Sequence, residues 1–145
     1  MDQTNRELLK KELVRDEGMR LESYKDSVGL WTIGVGHLLG PTQRMTIITR
    51  DEAWALLEHD IDTALDIAYF LVKRWTDREI SSARGRALAN MSFNLGSGRL
   101  AGFKKFIAAL NVYDWPTAAK EMMDSRWATQ VGGRAVRLRD MILNG

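Results

Sequence analysis

Along most of this chain apolar residues recur at spacings of three and four, and they alternate at a spacing of two only over a short stretch near the start. Leu8, Leu9, Leu13 and Val14 follow the helical period, and Thr4-Asn5-Arg6-Glu7 has the form of a capping box, so a first helix is expected over 5–17. Gly18 supplies its stop, because a glycine just past a helix end adopts the left-handed conformation without a Cβ penalty. Residues 21–26 and 30–37 then read as two strands of a hairpin around Ser27-Val28-Gly29, and 45–48 as a third strand. In the second strand Trp31, Ile33 and Val35 take one face. Thr32, Gly34 and Gly36 take the other, where the missing side chains leave room for a close approach.

From Thr49-Arg50-Asp51-Glu52, a second capping box, the helical period takes over. Trp54, Leu57, Ile61, Leu65, Ala68 and Val72 predict a helix over about 50–73, longer than the average of about 11–12 residues and long enough to join two lobes. Further helices are expected over 81–95, ended by Gly96, and around Phe103, Phe106, Ile107 and Leu110, closed by Asn111. Another is capped by Asp114, with Pro116 in its first turn and Ala118, Ala119, Met122 and Met123 following. The last begins after Gly132-Gly133 and carries Val136, Leu138, Met141 and Ile142. The expected fold class is α+β, mostly helical. One domain over 1–145 would comprise a small three-stranded β lobe at about 18–50, a helical lobe at about 1–17 and 70–145, and the long helix between them.

Composition narrows the function classes. With 145 residues the chain can bury one sizeable core, and 45% hydrophobic against 28% charged residues is ordinary for a globular domain. There is no cysteine, which excludes disulfides, thiolate metal sites and cysteine nucleophiles. The polar start lacks the apolar core of a secretory signal and no stretch reaches membrane-spanning length, so cytoplasmic synthesis without stable membrane insertion is expected. A pI near 9.0 favours anionic polymers, but it alone gives no reason to expect nucleic acid as a partner. The two histidines, His37 and His59, have no neighbours at metal-ligand spacing, so no metal and no cofactor are expected.

The chemistry concentrates in 17–37. Glu17 ends the first helix, where unpaired carbonyls disfavour negative charge and so favour the proton that a general acid must carry. Asp26 closes the first strand, and the hairpin brings it near Thr32, which is also simply a good strand former. One carboxylic acid to protonate a leaving oxygen and a second carboxylate on the other face of a sugar are what glycoside hydrolysis requires. The run fixes far more than this pair. It reads E-G-x-R-L-x-x-Y-x-D, then W-T-I-G-x-G-H, with Glu17, Asp26 and Thr32 at the spacing E-x8-D-x5-T. In this it resembles the active-site segment of the phage-type lysozymes, the muramidases of glycoside hydrolase family 24.

That resemblance implies a two-lobed lysozyme-like fold with the substrate cleft between the lobes. It also implies hydrolysis, with inversion, of the β-1,4 bond between N-acetylmuramic acid and N-acetylglucosamine of peptidoglycan. Glu17 would be the general acid, Asp26 would orient or activate water, and Thr32 would help position it. Leu38, Phe93 and Asn94 would contact the sugar chain, Arg134 the acidic peptide stems, and His37 would pair with Asp60. The short loop at 40–44 leaves no room for the extra helix of the T-even enzymes, and Phe106 and Glu121 stand where larger relatives carry small polar or amide contacts. A phage or prophage endolysin is the biological role implied. It would be a monomer made in the host cytoplasm, reaching the periplasmic wall through lesions opened by a holin. Two alternatives stay open: a lytic transglycosylase, which would not need the water-handling Asp26 and Thr32, and a non-catalytic wall-binding or bacteriocin domain, which would not need Glu17.

Overall fold

A computed structural model of the chain describes residues 1–41, 45–76 and 80–145. Of the loop at 40–44, residues 42–44 lie outside the described residues. The order of elements is α1 (Gln3–Glu17), β1 (Arg20–Lys25), β2 (Trp31–Gly34), β3 (His37–Gly40), α2 (Arg50–Leu71), α3 (Ala83–Ala101), α4 (Lys104–Asn111), α5 (Trp115–Met123), α6 (Arg126–Val131) and α7 (Gly133–Asn144). This is the α+β, mostly helical class that the hydrophobic periods predict. The chain forms two compact units, Lys10–Asp62 and the pair of segments Met1–Leu9 and Thr63–Gly145.

In the unit Lys10–Asp62 the three strands make an antiparallel sheet in the order β1-β2-β3. Leu13 of α1, Ile33 of β2, Val35, and Ala53, Leu57 and Ile61 of α2 are its buried apolar residues. The third strand differs from expectation. The segment 30–37 does not run on as one strand, because Gly34 and Gly36 take φ of +63° and +65° and turn the chain at Val35-Gly36 into a second hairpin. His37–Gly40 is therefore β3. Residues 45–48, read as a strand from their alternation, contribute only an isolated bridge from Ile47 to Glu22. The turn also ends the predicted alternation of faces: Thr32, Ile33, Gly34 and Val35 are all buried.

The capping residues decide where the helices start. Asp2, not Thr4, caps α1: its Oδ1 accepts from the Asn5 backbone N–H at 2.8 Å, two residues earlier than the predicted box. The box at α2 forms as read, with Glu52 N–H donating to Thr49 Oγ1 and Thr49 N–H to Glu52 Oε1, both at 3.1 Å. Ser82 caps α3 and Asp114 caps α5. Gly96 breaks the helical geometry of α3 at φ +74°, where a stop was expected, although the helix resumes and runs to Ala101. One helix went unread: α6, held by Ser125 at its start and Gly132 at its end.

The larger unit packs Leu88, Met91, Phe106, Leu110, Met122, Trp127, Leu138 and Ile142 into its core. Buried indole N–H groups find acceptors, as burial of a donor requires. Trp75 donates to Leu110 O at 3.0 Å, and Trp127 donates to Asn94 Oδ1 at 2.8 Å. Arg84 stacks over the Trp115 ring at 4.1 Å and donates to the carbonyls of Ile142 and Leu143, which closes the C-terminal end of α7.

Candidate active site

Glu17 is the last residue of α1. The chain leaves the helix through Gly18, whose N–H donates to Val14 O at 2.8 Å and whose φ of +73° reverses the backbone into β1. The Glu17 carboxyl then lies against Gly36 in the β2–β3 turn. A Cβ built on Gly36 would stand 2.8 Å from Glu17 Oε2 and 3.0 Å from its Cδ. The small-residue face of the hairpin thus has an occupant, and at Gly36 it is the predicted acid itself. A Cβ built on Gly34 would instead meet Ala53 and Ile48, at the ordinary contact distances of 3.7 and 3.8 Å.

Asp26 sits at the corner of the first hairpin with one oxygen committed. Its Oδ1 accepts from Val28 N–H at 3.0 Å and Leu30 N–H at 2.8 Å, an arrangement that holds the loop closed and fixes the plane of the carboxylate. The Leu30 peptide then couples this residue to the next strand. Its carbonyl accepts from Asp26 N–H at 2.8 Å and from Thr32 Oγ1 at 3.3 Å. Because the Thr32 hydroxyl donates there, its lone pairs can only accept from whatever else approaches. Thr32 is 5% exposed.

Strand register extends the site. Thr32 stands opposite Tyr24 on one side and opposite Leu38 on the other. Directly opposed residues of antiparallel strands share a face, so Tyr24, Thr32 and Leu38 form one row across the sheet. Leu38, 55% exposed, is the open end of that row. Arg20 lies over the Tyr24 ring at 4.4 Å. Burial pushes the Tyr24 phenol above its ordinary value of 10.0, the negative charge of Glu17 pushes further in the same direction, Arg20 pulls back, and Asp26 adds a last upward push. Removing one of these charges should lower the value again. Glu17→Gln is expected to bring the Tyr24 ionisation midpoint down, and it should stay above 10.0 because burial remains. The check is tyrosinate absorbance against pH, with the Tyr24→Phe signal subtracted.

His37 Nδ1 and Asp60 Oδ2 meet at 2.7 Å, the expected pair, with Asp60 in the middle of α2 rather than near its start. Glu17, Asp26, Thr32 and Leu38 all belong to the unit Lys10–Asp62. Phe93, Asn94 and Arg134 belong to the other. Phe93 and Asn94 are half-buried on α3. The bond from Trp127 occupies the Asn94 carbonyl and leaves its amide NH₂ as a donor. Arg134 is 7% exposed, with its Nε donating to Asn90 Oδ1 at 2.9 Å. Among the described residues no group of three His, Cys, Asp or Glu side chains is placed to hold a metal ion.

Sequence reading left two residues of this site unassigned. Tyr24 was legible only as part of E-G-x-R-L-x-x-Y-x-D, and its place beside Thr32 depends on register. Leu30 acts through its backbone, which leaves no side-chain signal.

Comparison with known sequences places the chain among relatives. The model of the phage lysozyme family matches residues 14–140. The probable T4-type lysozyme 1 of Dictyostelium discoideum is 31% identical, over 94% of each chain. The endolysin of Salmonella phage P22 is 32% identical over 74% of this chain and 73% of its own. The pre-baseplate central spike protein Gp5 of Enterobacteria phage T4 is 35% identical over 92% of this chain, which spans only 27% of that longer protein.

Proposed function

The chain belongs to the phage lysozyme family, and from that premise we propose that it hydrolyses the β-1,4 bond between N-acetylmuramic acid and N-acetylglucosamine in peptidoglycan. Family membership and the endolysin relatives support a peptidoglycan-degrading lysozyme; the bond, the mechanism and the roles below are our reading. The observation that carries it is the contact of Glu17 with Gly36, which seats a carboxyl over the hairpin whose corner is Asp26 and whose second strand bears Thr32.

In this reading Glu17 donates its proton to the glycosidic oxygen as the bond from the anomeric carbon breaks. A water attacks that carbon from the opposite face. It gives one proton to Asp26, through Oδ2, since Oδ1 already takes two backbone N–H bonds. Its other hydrogen is donated to Thr32 Oγ1, which can accept because its own hydrogen goes to Leu30 O. Both protons of the water are then held and its lone pair is aimed at the carbon, with no covalent intermediate and with inversion. Such a route needs carboxyls about 6.5–9.5 Å apart, where a nucleophilic route needs about 5–5.5 Å. Leu38, Phe93 and the Asn94 amide NH₂ are the proposed sugar contacts. The cellular role that fits is an endolysin, released to the wall by a separate membrane-permeabilising protein.

Mass spectrometry of digested peptidoglycan tests this reading. Reducing muramic acid ends are expected from the wild type and should be absent with Asp26→Asn, whose amide oxygen can still accept the Val28 and Leu30 N–H bonds and keep the turn. Anhydro ends would assign a lytic transglycosylase instead. Tight wall binding without any cleavage would assign a binding module.

A further inference from the structure

The last turns of α2 carry two apolar stripes, and only one of them is spent on the core. Leu65, Ala68 and Val72 are buried. Ile67, Phe70 and Leu71 follow the same spacing of three and four on another face, where Phe70 remains 69% exposed. This second stripe lines a groove of about 470 Å³, within the roughly 300–1,000 Å³ usual for small-ligand sites. The end of α3, beyond the break at Gly96, supplies Ser97, Gly98 and Ala101 to the same lining. Gly98 leaves the space unfilled: a Cβ built there would meet nothing within 4 Å, although glycine is a costly choice inside a helix.

We propose that this groove is a second glycan subsite, which takes an N-acetylated hexosamine of the peptidoglycan strand in addition to the residues that carry the cleavage. It rests on the reading of peptidoglycan as the substrate. A pyranose has a face of C–H groups and an edge of hydroxyls, and its N-acetyl arm ends in a methyl. The groove answers each of these. The Phe70 ring suits the C–H face, and Ile67, Leu71 and Ala101 suit the methyl. The Asp66 carboxylate accepts from hydroxyls, and the Ser97 hydroxyl both donates and accepts. Lys73, over the Phe70 ring at 5.2 Å, sets a cation beside the groove, which complements the carboxylates of muramic acid and its peptide stem. Phe93, already a proposed sugar contact, stands four residues before Ser97 on the same helix. A polymer held at one point presents its next sugars at high effective concentration, so even a weak subsite strengthens the hold on a long strand.

The test is an NMR titration of the full chain, carrying Glu17→Gln, with soluble, peptide-free strands of alternating N-acetylglucosamine and N-acetylmuramic acid. The backbone amides of Ile67, Leu71, Ser97 and Ala101 are expected to shift and to saturate. Phe70→Ala then removes the exposed ring, and Gly98→Leu fills the groove from a position with open space around it. Each should raise the dissociation constant read from these amides roughly 10-fold or more, with no fall in the thermal midpoint. Amides that stay still, or that respond equally in both variants, would sink the proposal. So would shifts that follow protein concentration without any glycan, which would make this face a contact between copies of the chain. The hairpin separates the two levels of inference. If the amides of Thr32 and Leu38 respond while those of the groove do not, only the groove fails; if none responds, the glycan reading of the chain fails with it.

Discussion

Glu17→Gln is expected to lose about 10²- to 10⁴-fold in kcat, the contribution typical of a positioned general acid, while the chain still folds and still binds the wall. Glutamine matches glutamate in size and reach, so the contact with Gly36 is kept and only the transferable proton is lost. The leaving alkoxide then departs unprotonated, since Asp26 serves the attacking water in this reading. Asp26 is anchored at the far corner of the hairpin by the N–H groups of Val28 and Leu30. Stability should change little beside that loss of rate, because glutamine keeps the size and reach of the side chain. Initial rates of muropeptide release and a thermal melt check the two halves together. Activity within tenfold of the wild type would remove Glu17 from the role of acid.

What the sequence disclosed and what it hid follow from how far each signal reaches along the chain. The helical stripes of α2, α3 and α7 were legible because a period of 3.6 repeats over many residues, and the Thr49–Glu52 box was legible because both of its bonds are local. The proposed site residues Glu17, Asp26 and Thr32 stood out through the density of motif around them. The reading failed where backbone conformation overrode side-chain pattern. Gly34 and Gly36 sit on the small face of an alternating run, but their positive φ makes the turn that creates β3 from His37–Gly40. Residues 45–48 alternate just as well and form only one bridge. Helix α6 is too short for a period to show, and only Ser125 and Gly132 mark its ends. The burial of Arg134 depends on Asn90, far away in the chain, and nothing local announces it. Neither the row of Tyr24, Thr32 and Leu38 nor the seat of Glu17 on Gly36 could be read without register and tertiary contact.

That seat gives the most discriminating substitution. Gly36→Ala is expected to lose at least about 100-fold in kcat while losing only about 1–2 kcal/mol of stability, the usual penalty for an L residue held at positive φ. At φ +65° the new methyl would point at the Glu17 carboxyl, 2.8 Å from Oε2 and 3.0 Å from Cδ, distances that carbon does not tolerate. The contact involves the far end of a flexible side chain, so the cheaper relaxation is for Glu17 to swing aside rather than for the turn to open. The fold then survives and the acid is misplaced by an ångström or so, enough to cost two orders of magnitude in a positioned proton transfer. Gly40→Ala is the matched control. Its φ is +110°, and an added Cβ meets nothing within 4 Å, so it should show the stability loss with kcat near the wild-type value. Urea unfolding and kcat measured on both variants decide the matter. If the two glycines lose activity in proportion to lost stability, Gly36 serves the turn alone; if Gly36→Ala loses turnover far beyond its stability change, the glycine is there to seat the acid.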